Sequence, residues 1–126
     1  MEKLSDEQLV ILEAAAYVHD IGIKPSERFY GDCSGKHQEE LGPEPAKAML
    51  EQCGFSDSQI ERIIYLVGHH HTYKNIDGID YQILVEADFL VNLFEEESSS
   101  QTVKHAYDYI FTTESGKYIC RTMFGI

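Results

Sequence analysis

His19 and Asp20 stand side by side at the end of the apolar stretch "AAAYVHDIG", residues 14–22. Imidazole nitrogens and carboxylate oxygens do two kinds of chemistry: they ligate borderline divalent cations, and they move protons near neutral pH. The same residue types recur twice at the ends or middles of apolar runs. "GHHHTY" places His69, His70 and His71 together, and "ILVEADFLVNL" carries Asp88. At helical spacing i, i+3, i+4, i+7, Leu12, Ala15, Ala16 and His19 form one stripe, with Asp20 at its edge. Ile60, Ile63, Ile64 and Val67 form a second, which extends by one turn to His70 and His71. Leu84, Ala87, Asp88 and Val91 form a third. An ionised carboxylate turned inward without a partner is expensive. Asp20 and Asp88 have few cationic neighbours on these stripes, and a shared divalent cation would satisfy them together with the histidines. Mn, Fe, Ni, Co, Zn and Mg all accept such donors, and the sequence does not choose among them. The plain alternative for each residue alone is a hydrogen-bonded core histidine or a capping aspartate.

Three consecutive helical residues fan out over a wide arc, so the three histidines cannot all reach one ion. His70 is the best inward candidate and His71 the next, with His69 on the flank. One of them is expected to meet a second metal or a substrate phosphate; otherwise it caps the helix end. Lys24, Arg28 and Lys36 are three of only ten basic residues, and all follow the His-Asp pair closely. In an acidic chain that placement reads as an anion-binding patch, against the simpler reading of solvated charges. His37 lies in the same segment.

The elements that must position these residues read as helix after helix. "SDEQ" at 5–8 is a capping box that opens a helix to about residue 20, stopped by Gly22. Residues 24–43, rich in Gly and Pro, read as a long loop with at most a short turn around "KHQEEL". A helix follows at about 44–53, and a second capping box, "SDSQ" at 56–59, opens another to about residue 70. "TYKNIDGID" is a turn, about 80–94 is the most apolar helix, and "EEESSS" is a solvated acidic loop. Val103, Ala106, Tyr107 and Ile110 mark a further helix, and "GKYICRTMF" a short last one. Strand alternation is absent. The expectation is all-α: a single domain over residues 1–126, a compact bundle of about five to six helices, with C-terminal helices at about 100–123.

The chain has 126 residues and a net charge of -12, from 22 acids and 10 bases. Such a surface repels phosphate backbones, which argues against non-specific nucleic-acid binding. Cys33, Cys53 and Cys120 are odd in number and contain no CxxC, so neither a disulfide framework nor a zinc ribbon is expected. Free thiols, a polar acidic start and no long apolar run together predict a cytoplasmic protein without signal peptide or membrane span.

"AAAYVHDIG", "IIYLVGHHHTY" and "ILVEADFLVNL", in that order, resemble the HD-domain superfamily of metal-dependent phosphohydrolases, over roughly residues 9–94. The resemblance implies an HD-type helical fold and hydrolysis of a nucleotide or small phosphate ester. His19 and Asp20 correspond to the His-Asp doublet and Asp88 to the distant aspartate. His70, and with it His69, corresponds to the extra histidines that bind a second metal or the substrate phosphate in some members. The implied ligands are thus His19, Asp20, Asp88 and His70, with Asp20, His69 and His70 catalytic and Lys24, Arg28 and His71 against the substrate. The match of His37 to a histidine of some members is off by one residue. The family's first ligand, a His on a preceding helix, has no counterpart: no His precedes His19. This predicts an N-terminally shortened member, or one in which a second copy of the chain supplies the missing helix. The alternative is a non-catalytic nucleotide-binding or regulatory module with an incomplete site. A structural zinc domain is disfavoured for want of paired cysteines.

Overall fold

A computed structural model describes residues 2–126, and among these every regular element is a helix. There are eight: α1 (Asp6–Val18), α2 (Ile23–Tyr30), α3 (Gly35–Leu41), α4 (Pro43–Gln52), α5 (Asp57–Val67), α6 (Ile79–Glu95), α7 (Ser100–Tyr109) and α8 (Glu114–Phe124). The all-α expectation therefore stands, with two helices more than the sequence predicts. Among the described residues no helix is long and apolar enough to cross a membrane. The chain divides into two compact units, Ser5–Lys74 and Asn75–Ile126, the latter joined by the N-terminal residues through Leu4.

In the first unit α1 packs on α5, α5 on α4, and α3 on both α2 and α4. Both predicted capping boxes form. Ser5 Oγ accepts from the Gln8 amide at 3.1 Å while Gln8 Oε1 accepts from the Ser5 amide at 2.9 Å. Ser56 and Gln59 repeat the arrangement at 3.3 and 3.0 Å. Each box satisfies two orphan donors at its helix start.

Three expectations are corrected in this unit. The segment 24–43 is not a loop: it forms α2 and α3 and the start of α4. Pro25 sits in the first turn of α2, where no amide donor is needed, and Gly31 closes the helix with φ 75°. Ser34 then caps α3, its Oγ accepting from the His37 amide at 3.3 Å. Secondly, α1 ends at Val18, not at Asp20, so His19 and Asp20 lie in the turn after it. Its buried face is Ile11, Ala14, Ala15 and Val18, and Ala16 is exposed. The stripe is shifted by one position because almost every residue from 9 to 18 is apolar and the spacing alone does not fix its phase. Thirdly, α5 ends at Val67, and the three histidines occupy the turn that follows.

In the second unit α8 packs on α6 and on α7. Leu90, Leu93, Val103, Ala106, Phe111 and Cys120 form its core, with Phe89, Tyr107, Ile110 and Phe124 packed against them. Burial pushes the Cys120 thiol above its ordinary range. The expected α6 stripe is also corrected. Ala87 and Val91 are exposed, and the buried face runs through Tyr81, Leu84, Val85, Glu86, Leu90 and Leu93.

Candidate metal centre

The turn after α1 and the turn after α5 bring three predicted residues together. His19 Nε2 lies 3.2 Å from Asp20 Oδ2, and His70 Nε2 lies 3.9 Å from Asp20 Oδ1. The two imidazoles meet edge to face with centroids 5.2 Å apart. His70 is fully buried, His19 half-buried and Asp20 exposed.

The hydrogen bonds of the other ring nitrogens decide what these contacts are. His19 Nδ1 lies 2.8 Å from the Ala16 carbonyl, and His70 Nδ1 lies 2.8 Å from the Val67 carbonyl. A carbonyl oxygen only accepts, so both Nδ1 atoms must carry the hydrogen. In a neutral ring, Nε2 then carries the lone pair. Two lone-pair nitrogens thus converge on one carboxylate, an arrangement that calls for positive charge among them. A proton on His19 Nε2 satisfies one contact. A divalent cation satisfies both, and a main-chain carbonyl on Nδ1–H is the way ligating histidines are ordinarily oriented. Imidazole nitrogen and carboxylate oxygen are donor types that a borderline divalent ion accepts, so the chemistry of these groups is compatible with one. The His19 hydrogen bond, with the nearby His70 and His71 rings, holds the Asp20 carboxyl below its usual range despite partial burial.

The remaining histidines differ. His69 donates Nδ1–H to the Tyr65 carbonyl at 2.7 Å and stacks on the Tyr65 ring, 4.0 Å between centroids. Both contacts are to Tyr65, one turn back on α5. His71 lies against His70, centroids 4.1 Å apart, with a ring nitrogen of each within 4.8 Å of the other's. Its partners come from α3. The His71 amide donates to Glu39 Oε2 at 3.0 Å, Thr72 Oγ1 donates to the same carboxylate at 2.8 Å, and His71 Nε2 lies 3.1 Å from Gln38 Oε1.

Two glycines permit this approach. A Cβ on Gly35 would lie 2.8 Å from the Cβ and Cγ of His71. A Cβ on Gly22, the glycine of "HDIG", would lie 2.5 Å from the Gln38 carbonyl oxygen. Glycine is required at both places so that the backbone can come close.

Lys24, Arg28 and Lys36 are exposed, the first two one turn apart on α2. His37 is occupied elsewhere: it donates Nδ1–H to Asp32 at 2.7 Å and stacks on Tyr30, whose hydroxyl donates to Glu40 at 2.7 Å. His105 is exposed beside Tyr109 on α7. In the second unit, Asp88 lies half-buried on α6.

Sequence reasoning missed Gln38, Glu39 and Glu86. Glu86, two residues before Asp88, is buried. One of its oxygens accepts from Gln82 Nε2 at 2.6 Å, the Thr112 amide at 3.0 Å and the Thr113 amide at 3.1 Å, and the other from Thr113 Oγ1 at 2.6 Å. It ties α6 to the start of α8. "TTESG" at 112–116 hints at a helix start, but nothing local names the carboxylate that would reach it. Compared with protein-family models, with curated proteins and with solved structures, the chain finds no match in any of the three.

Proposed function

We propose that the chain is a metal-dependent phosphohydrolase of HD-domain type, acting on a nucleotide or small phosphate ester. The observation that carries the reading is the convergence of the His19 and His70 lone-pair nitrogens on the Asp20 carboxylate, with both tautomers fixed by main-chain carbonyls. His19, Asp20 and His70 would hold the ion, and the resemblance adds Asp88 as the distant ligand. When bound, such an ion supplies Lewis acidity toward a phosphoryl oxygen and toward water. Asp20, exposed and anionic, accepts a proton from the attacking water. His70, with His69 or His71, would stabilise charge on the phosphoryl group or protonate the leaving oxygen. His71 contacts the phosphoryl group. Lys24 and Arg28, spaced i, i+4 on exposed α2, draw the anion to a chain whose net charge of -12 otherwise repels it.

A second reading is a nucleotide-binding module without turnover. It would use the same cluster of His19, Asp20 and His70 to hold the ligand without catalysing its hydrolysis.

Elemental analysis of the untagged protein, followed by a screen of phosphate monoesters and nucleotides, separates the two. The hydrolase reading expects about one or more Mn, Fe, Ni, Co or Zn per chain, together with metal-dependent turnover. Asp88→Ala should lose the metal and keep its helical circular dichroism. Stoichiometric metal in that variant removes Asp88 from the site. Metal without turnover on any phosphate ester favours the binding module.

A further inference from the structure

Gln38 touches two groups, and one of them fixes the chemistry of the other. Its Nε2 lies 2.6 Å from the Cys33 carbonyl oxygen, and its Oε1 lies 3.1 Å from His71 Nε2. A main-chain carbonyl cannot donate, so the atom facing Cys33 must be the amide NH2. The oxygen must then face His71. An amide oxygen cannot donate either, so His71 Nε2 must carry a hydrogen. The neutral His71 ring is thereby the Nε2–H tautomer, with its lone pair on Nδ1, whose neighbour is the Tyr73 hydroxyl at 3.4 Å. His19, His69 and His70 are all held the opposite way, by carbonyls on Nδ1–H.

We propose that Gln38 is a positioning residue that makes Nδ1 the working atom of His71, so that His71 meets a ligand through the opposite nitrogen from its three neighbours. Burial of Gln38, and the Gly35 backbone that lies against the His71 ring, leave the ring little room to turn over. Glu39, which accepts from the His71 amide and Thr72 hydroxyl, anchors the same turn from the next position of α3. His71 is therefore unsuited to ligate an ion through Nε2. Its Nδ1, which carries the lone pair in this tautomer, is placed to accept a hydrogen bond. What Nδ1 acts on rests on the phosphohydrolase reading; the tautomer does not.

The test is nitrogen-15 NMR of the imidazole rings in the full chain, metal-free and then with zinc chloride added. His71 should appear as the Nε2–H tautomer, with an Nε2 proton protected from solvent exchange and an Overhauser contact to Gln38. The Nδ1–H signal of His70 should appear beside it. Gln38→Met should lose the protected His71 proton and give a mixed tautomer while leaving the His70 signal. Gln38→Glu, which keeps an acceptor, should retain it. Zinc should leave the His71 Nε2–H in place. An Nδ1–H tautomer for His71 in the unaltered chain, or loss of its Nε2–H to zinc coordination, overturns the proposal. Should Gln38→Met fail to fold, the unaltered chain and Gln38→Glu still decide. Zinc that does not bind at all leaves this assignment standing and counts against the metal-dependent reading instead.

Discussion

Each unit of the molecule holds a carboxylate at a helix junction, and the two are treated in opposite ways. Glu86 in the second unit is buried and surrounded by donors: an amide side chain, two main-chain N–H groups and a hydroxyl. Asp20 in the first unit is exposed and faces two imidazole nitrogens that carry lone pairs in their neutral form. Glu86 has hydrogen bonds from every side and no need of a cation. Asp20 is instead held through the His19 hydrogen bond, which needs a proton on His19 Nε2. The two carboxylates thus differ in the character of the atoms around them as well as in burial.

The sharpest way to break this comparison is to remove each carboxylate in turn. Glu86→Ala should lower the unfolding free energy by about 3 kcal/mol or more, because several buried donors lose a charge-assisted acceptor together. Gly116→Ala should act through the same group, since its Cβ would lie 1.8 Å from Glu86 Oε1; about 1–3 kcal/mol is expected for such crowding. Urea titration measures both, and a loss below about 0.5 kcal/mol for Glu86→Ala would deny the structural role.

Asp20→Asn should do the reverse. Stability should change by less than about 1 kcal/mol at this exposed position. On the metal-dependent reading, affinity for added zinc should fall by about 100-fold or more. Isothermal titration with that ion reads the difference, and unchanged affinity would place the ion elsewhere.

The smallest effect is expected at Asp32. The His37 hydrogen bond, helped by the Ser34 amide, holds this carboxyl below its ordinary value of 3.8. A depressed folded value means that the favourable contribution is fully present above 3.8 and is lost as the pH falls below it, through the lower folded value. Asp32→Asn lacks that contribution. Its urea midpoint should lie slightly below that of the unaltered chain at pH 6, and the gap should close as the pH falls below 3.8. A gap that widens in acid would contradict the pairing.

Much of the fold can be read from the chain because helix starts are local chemistry. The two Ser-x-x-Gln boxes name their own first turns, and both form. What fails is whatever depends on a distant partner. Almost every residue of α1 from 9 to 18 is apolar, so the spacing leaves its buried face open by one position, and the contact with α5 settles it. The glycines and prolines of 24–43 read as loop signals, yet Pro25 opens a helix and Gly31 closes one. At the site, the residue types announce His19, Asp20 and His70, because imidazole and carboxylate beside apolar stripes are costly without a purpose. Gln38 and Glu39 carry no such announcement. Their partner His71 lies more than thirty positions away, and a glutamine and a glutamate on a short helix look like solvent-facing residues until that partner is in place.

The Gln38 main-chain oxygen lies where a side chain on Gly22 would have to go, and where one on Gly42 would go as well, at 2.5 and 2.8 Å. The stretch from residue 19 to residue 42 is accordingly an interlocked cassette. Replacing Gly22 or Gly42 alone should jam it, because either side chain would meet the same carbonyl oxygen.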